Sequence, residues 1–265
     1  MVDPIFSATA SPFLKAIPAF EGANIYAAED FPAIDCLLIT HDHYDHLDYK
    51  TVVALRPKVR QVVVPLGVGS HFRYWGYDPQ HIRELNWYES FSLKNATITA
   101  TPALHMSGRT LFLGRTLWAS YLVHMGKYRL FFGGDGGYGE HFREIGEGRR
   151  GRAWTNKGNS QEAIFEGEGP GPIDLAFLEN GQYNENWPKN HMFPEQTVQA
   201  AKDLKAKVFL PIHWGKFCLS EHFWNEPIQK LLTLADAAAQ RVTVPKVGEV
   251  CRMDEADKRD PWWKF

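Results

Sequence analysis

The sequence predicts an α/β domain in which helices cover mixed sheets. Short apolar runs alternate with helical stretches in both halves, the middle of the chain is rich in strand patterns, and neither an internal repeat nor a long linker divides the 265 residues. The first strand is expected at 34–39, where Ile34-Asp35-Cys36-Leu37-Leu38-Ile39 is nearly continuous in apolar side chains, as in a strand buried on both faces. A short helix over 49–55 follows, then a strand over 61–65 that stops at Pro65. Ala96-Thr97-Ile98-Thr99-Ala100-Thr101 alternates in polarity, and 117–123 and 128–132 supply two more strands joined through Gly126, together a meander. Alternation then resumes with a strand at 174–178, a helix at 194–205, a strand at 207–212 and a helix at 227–239. Pro194 suits the first turn of its helix, where a missing N–H is no loss, and Glu195 suits the positive end of the helix dipole. Residues 146–172, rich in Gly, Arg and Glu without a hydrophobic period, read as a long surface loop or mobile insertion within a single domain spanning 1–265.

Composition narrows the classes of function. With 44% hydrophobic and 23% charged residues the chain is neither disordered nor membrane-embedded in character. A net charge of -2 gives no basic excess that would make nucleic acid an obligatory partner. Cys36, Cys218 and Cys251 are odd in number and far apart, which suits reduced thiols. The first residues lack a basic then apolar leader, no apolar run nears the roughly 20 residues needed to span a bilayer, and the expected location is the cytoplasm. Nine Trp and the ending Asp260-Pro261-Trp262-Trp263-Lys264-Phe265 are read as core or subunit-interface packing, which leaves a homo-oligomer open.

The chemistry concentrates in Thr40-His41-Asp42-His43-Tyr44-Asp45-His46-Leu47-Asp48, directly after the first strand. Imidazole nitrogen and carboxylate oxygen are the usual ligands of zinc and related divalent ions, and a loop leaving a strand can turn several of them toward one point. His41 and His43 are two apart, so extended backbone sends them to the same side, while Asp45 and His46 turn toward a second position, which implies two adjacent metals. Asp42 and Asp48 either orient the histidines or cap the next helix. One loop supplies too few ligands for two ions, and three later strands end in another: His105, Asp135 and His213. Gly133, Gly134, Gly136 and Gly137 around Asp135 point to close backbone approach to the site. His71, His81, His124, His141 and His222 lack the strand-end context and are read as surface or packing residues.

An HxHxDH run followed by a lone His, an Asp after an apolar strand and a final His resembles the ligand series of the metallo-β-lactamase superfamily. Asp3-Pro4-Ile5-Phe6-Ser7, Val64-Pro65-Leu66-Gly67, Gly134-Asp135-Gly136-Gly137-Tyr138 and Ile212-His213-Trp214-Gly215 are similar to the branch containing N-acyl-phosphatidylethanolamine phospholipase D and related bacterial hydrolases. The resemblance implies a four-layer αββα sandwich. It assigns His41, His43 and His105 to one metal, Asp45, His46 and His213 to the other, and Asp135 as a bridge. It places His191, in Asn190-His191-Met192-Phe193-Pro194, near the substrate as a phosphate-binding or leaving-group residue, and Asp3 beside the ligands as their support. Three features depart from the family pattern: a strand pair is expected before Asp3-Pro4, Gly136 stands where a Thr or Ser usually follows the bridging Asp, and 146–172 is expected to be an insertion.

The expected function is that of a hydrolase using a dinuclear metal-activated hydroxide on a small-molecule or lipid phosphodiester, like a phospholipase D, with Asp45, Asp135 and His191 as the catalytic residues. Zinc is the expected metal, and the donor set also admits manganese or iron. A lactonase or other ester hydrolase of the same fold is the alternative, and a non-catalytic binding or scaffold protein the second. Pro12-Phe13-Leu14-Lys15-Ala16-Ile17-Pro18 is the one hint of peripheral membrane contact, and loop packing explains it equally well.

Overall fold

The computed structural model describes the whole chain except residues 12–16, 110–113, 149–151, 154–160, 163–170, 254–258 and 265. In chain order it runs β1 (Leu37–Leu38), α1 (Tyr49–Leu55), β2 (Val62–Pro65), α2 (Gly69–Tyr74), β3 (Ile82–Leu85), β4 (Ser90–Leu93), β5 (Ala96–Thr101), β6 (Ser120–Met125), β7 (Tyr128–Phe132), α3 (His141–Glu147), β8 (Arg152–Ala153), β9 (Gln161–Glu162), β10 (Leu175–Glu179), α4 (Pro194–Asp203), β11 (Val208–Ile212) and α5 (Glu226–Ala237). A parallel sheet has the order β1-β2-β3. A mixed sheet has the order β11-β10-β7-β6-β5-β4, parallel across β11, β10 and β7 and antiparallel from β7 to β4.

Side-chain alternation sorts the residues into layers. Leu38, Val63 and Leu85 of the small sheet pack against Ile98, Ala100, Tyr121 and Val123 of the large one, forming the core between sheets. On the other face of the small sheet, Leu37, Val62 and Val64 meet Val52 of α1 and Phe72 of α2. On the other face of the large sheet, Phe131, Ala176, Leu178 and Phe209 meet Ile145 of α3, Val198 of α4 and Leu231 of α5. The result is the αββα sandwich, with strands buried on both sides as their continuous apolar runs require.

The elements missed by pattern are short: α2, α3, β3 and β4 lack a full period of either kind. The expected 34–39 strand narrows to β1 because Asp35 turns out to solvent, 3.0 Å from Arg60 Nη1 and also paired with Lys94. The expected 117–123 strand begins later. Leu117 N donates to Leu66 O and Ala119 N to Thr40 O, so those residues lace the two sheets together before β6 starts. Gly146 and Glu147 of the 146–172 stretch close α3, and β8 pairs with β9; nearly all the rest of that stretch, and most of 12–18, lie outside the described residues. Trp263 is buried, and Trp262 stacks on Trp214 at 5.1 Å, as expected of core packing. Among the described residues no helix is long and apolar enough to cross a membrane.

Asp48 caps α1 and does more than cap it. Its carboxylate accepts from Lys50 N, Thr51 N and Thr51 Oγ1, and from Ser7 Oγ at 2.6 Å, which fastens the N-terminal segment beside the helix. Asp48→Ala should lower the unfolding free energy by about 1–2 kcal/mol, read as a shifted urea midpoint at unchanged slope; an unshifted midpoint would show the cap to be idle.

Candidate metal centre

The ends of β1, β5, β7 and β11 lie at one rim of the sandwich, and the seven expected ligands come together there. His41 Nε2 lies 2.9 Å from His43 Nδ1, and His105 Nε2 lies 3.2 Å from the same atom. Asp135 Oδ2 lies 3.1 Å from His46 Nε2 and 3.0 Å from His213 Nε2, and Asp45 Oδ2 is 3.9 Å from each of those nitrogens. The donor atoms of His41, His43 and His105 lie within 4.8 Å of one another, as do those of Asp45, His46, Asp135 and His213. The three-histidine group is the one the family resemblance gives, and the second contains Asp45, His46 and His213 with Asp135, which the resemblance assigns as a bridge.

The residues behind the ligands decide which atoms face the centre. Asp3 accepts from Thr40 N at 2.8 Å, from Thr40 Oγ1 at 2.6 Å and from His46 Nδ1 at 2.9 Å. Because the Thr40 hydroxyl has one proton and gives it to Asp3, it accepts from His41 Nδ1, 3.0 Å away. Both imidazoles are thereby held with Nδ1 protonated, so the Nε2 lone pair of His41 is free to face the centre. Asp3 is therefore where it was expected, beside the ligands, and Thr40 is a supporting residue that its type alone did not announce.

Close backbone approach sets the spacing. Gly134 has φ +62, and a Cβ there would stand 2.7 Å from Thr40 Cβ. A Cβ on Gly181 would stand 1.6 Å from His213 O. Gly134 thus admits the end of the small sheet at Thr40, and Gly181 admits the backbone of His213.

Electrostatics separates the two groups. Burial, followed by the charges of neighbouring histidines, holds His41 well below the usual imidazole range, and burial takes His105 to about 3. These are neutral imidazoles with a lone pair to give. Burial works against the Asp135 carboxylate, but His213 and His46 outweigh it and keep it ionised. Burial likewise works against a proton on His46, and the charge of Asp135 with the hydrogen bond to Asp3 outweighs it. The proton on His46 thus supplies the positive charge that the ionised Asp135 faces.

The donor set fits a pair of divalent ions on a further ground. His46 Nε2, His213 Nε2 and Asp135 Oδ1 are buried with no hydrogen-bond partner of acceptable geometry. Buried polar atoms left in this state are costly, and a cation bound among these three would satisfy them.

His191 stands at the edge of this cluster. Its Nδ1 is 4.0 Å from Asp135 Oδ2 and 3.5 Å from Glu179 Oε1, and its ring stacks on His213 at 5.4 Å between centroids. Burial opposes charge on His191, but Glu179 and Asp135 raise its pKa to about 8. Glu179 is fully buried and accepts from Gly181 N, Gln182 N and Met192 N, tying the end of β10 to the His191 segment. It was missed in the sequence, where a Glu closing an apolar strand at the same level as Asp135 and His213 was the available signal. The five other histidines stay outside both groups, and His71 instead faces Asp42 Oδ2 at 3.4 Å.

Beside Asp45, His46 and His213 opens a cavity of about 620 Å³, walled by Phe132, Phe177 and Phe217 and reached by Lys216.

The chain is similar to known proteins over most of its length. The family described as "Beta-lactamase superfamily domain" matches residues 1–153 and 160–214, so the match is broken inside the 146–172 stretch only at 154–159. An uncharacterized protein of Mycobacterium tuberculosis strain H37Rv is 37% identical over the whole chain, which spans 67% of that protein. The mitochondrial N-acyl-phosphatidylethanolamine-hydrolyzing phospholipase D of Saccharomyces cerevisiae is 33% identical over 83% of the chain, which spans 45% of that enzyme. Among solved structures, CmlA, a diiron β-hydroxylase from Streptomyces venezuelae, superposes on 91% of the chain and 48% of its own with a TM-score of 0.63 at 18% identity, a likeness of fold. The chain belongs to the β-lactamase superfamily domain family, and with it to the metal-dependent hydrolases of the metallo-β-lactamase superfamily.

Proposed function

We propose that this chain is a dinuclear hydrolase that cleaves phosphodiesters in the manner of a phospholipase D. The observation that carries the reading is the convergence of two donor groups at one rim, with His191 4.0 Å from Asp135 of the second group and a cavity alongside. His41, His43 and His105 would hold one ion, Asp45, His46 and His213 the other, with Asp135 common to both. Two divalent ions bound there would neutralise charge on the phosphoryl oxygens and lower the pKa of an attacking water. Zinc suits five imidazoles and two carboxylates, and iron, the metal of the diiron β-hydroxylase CmlA, suits them as well.

The chain's own residues supply the rest. Asp45 is a carboxylate beside the reacting centre and can accept the proton of the attacking water, while Asp135, held ionised by His213 and His46, orients the site. As its oxygen bonds to phosphorus, the ester P–O bond breaks and the leaving alkoxide takes a proton. His191 would give it; its position at the edge of the cluster, 3.5 Å from Glu179, supports that role. The aromatic cavity suits an apolar arm on one side of the phosphate, and the Lys216 ammonium suits its negative charge. A phosphodiester, anionic and flanked by two alcohols, meets both features. The relatives named for hydrolysis of N-acyl-phosphatidylethanolamine give the same direction, toward a lipid phosphodiester.

Dialysis against a chelator should abolish turnover of an aryl phosphodiester and zinc should restore it; full turnover by metal-free protein sinks the reading. Assayed side by side, phosphodiesters and phospholipids should be cleaved well above a panel of lactones, and the reverse order would favour carbonyl chemistry. His191→Ala should lower kcat by about 10²–10⁴ with bound metal retained. Asp135→Ala should cost more, because it disturbs both donor groups, and metal analysis should show ions lost; a larger effect at His191 than at Asp135 would contradict the shared role.

A further inference from the structure

The stretch leaving His105 closes back on the stretch that carries His41 and His43 through Arg109, which bonds to backbone carbonyls of that stretch. Arg109 Nη1 donates to Asp42 O at 3.0 Å and also to Leu47 O. Its guanidinium lies 4.1 Å from the centroid of the Tyr44 ring and 5.4 Å from that of Trp75. The contact is returned by Tyr44 Oη, which donates to Arg109 O at 2.7 Å. One residue earlier, Gly108 N donates to Asp42 Oδ1 at 2.7 Å, and Asp42 is buried, its other oxygen facing His71.

The positions of these links matter more than their number. The carbonyls of Asp42 and Leu47 bracket His43, Asp45 and His46, so one guanidinium pins both ends of the loop that carries three proposed ligands. His105 lies four residues upstream of Arg109 and His43 directly follows Asp42, so the same clasp sets the distance between the two strand-end segments that meet at His43 Nδ1. A guanidinium is suited to this: it is planar, stacks on aromatic faces and carries several donors in fixed directions, whereas an ammonium is a single point charge. On the Asp45 side His46 has a separate support in Asp3, and His41 has one in Thr40, so what rests on Arg109 is the spacing of His43 and His105.

We propose that Arg109 is a positioning residue for metal binding, presetting the His41, His43 and His105 group by clasping the chain after His105 onto the loop between Asp42 and Leu47. The inference rests on the ligand assignment above and adds to it a residue that acts through backbone carbonyls.

The test is zinc affinity, measured by competition with a chromophoric chelator, together with the thermal midpoint of the zinc-free protein. Arg109→Ala should weaken one zinc equivalent by about tenfold or more and leave the other within about threefold. Arg109→Lys, which keeps the charge and loses the fork, should fall between, and it carries the same comparison should the alanine variant not fold. In a His43→Ala background, where the first group is already broken, Arg109→Ala should add nothing to the loss. Equal weakening of both equivalents, an unchanged affinity, or a further loss in the His43→Ala background would each overturn the inference, as would a lowered zinc-free midpoint without selective weakening. Wild-type protein that takes up no zinc would overturn the ligand assignment and this inference together, whereas uptake by wild type with an unselective variant overturns only the inference.

Discussion

The ionised carboxylate of Asp135, buried at the end of β7 between the Nε2 atoms of His46 and His213, is the constraint on which the arrangement of the rim depends. A charge withdrawn from water is costly unless opposite charge and donors surround it. Strand order supplies them: β7, β10 and β11 are parallel neighbours, so Asp135, Glu179 and His213 leave the sheet at one edge. The small sheet brings His41 to His46 to the same edge through Thr40 O, which accepts from Ala119 N. The two sheets are therefore joined by a core of apolar side chains and also by the polar rim at one end.

The rim needs backbones closer than side chains allow, and glycine answers there, as at Gly134 against Thr40 and Gly181 against His213. The Gly134 approach brings Thr40 to the edge of β7, and Thr40 in turn fixes the protonated nitrogen of His41 through its bond to Asp3. A packing requirement and a chemical requirement thus meet in one side chain. His213 carries positive φ as well, a strained position for a residue with a Cβ and one that the surrounding contacts must hold.

Much of the candidate site was legible before the fold was known, because its proposed ligands are residue types with few other reasons to gather. His41, His43, Asp45 and His46 announce themselves by density, and His105, Asp135 and His213 by standing after apolar strands. The αββα layers followed from the family resemblance, while composition and pattern reached only helices over mixed sheets. What stayed hidden depends on tertiary pairing. Glu179 reads as the polar end of a strand until three backbone N–H groups are seen to converge on it, and Arg109 reads as an ordinary loop cation until its acceptors are known. Thr40 was in view as the first residue of the run, yet nothing in its type says that its single proton goes to Asp3. Short elements such as α2 and β3 were hidden for a different reason: six and four residues are too few to display a period.

The balance of charge in the metal-free rim shows why its supports are so numerous. Asp135 stays ionised there through its histidine neighbours, with His46 as a proton donor, while His41 and His105 remain neutral because burial penalises their charged forms. Imidazole nitrogens held 2.9 and 3.2 Å apart around His43 Nδ1 cannot all be satisfied by one another, since a neutral ring has one donor and one acceptor. Left to relax, such a cluster would spread until water reached it. Here it is held by apolar layers behind and by hydrogen bonds to Asp3, Thr40 and Glu179 around it, so its geometry is provided by the fold. Metal binding energy in such a centre need not be used to order the chain, as it is in small domains that fold only around an ion, and is available to act on what the ions bind.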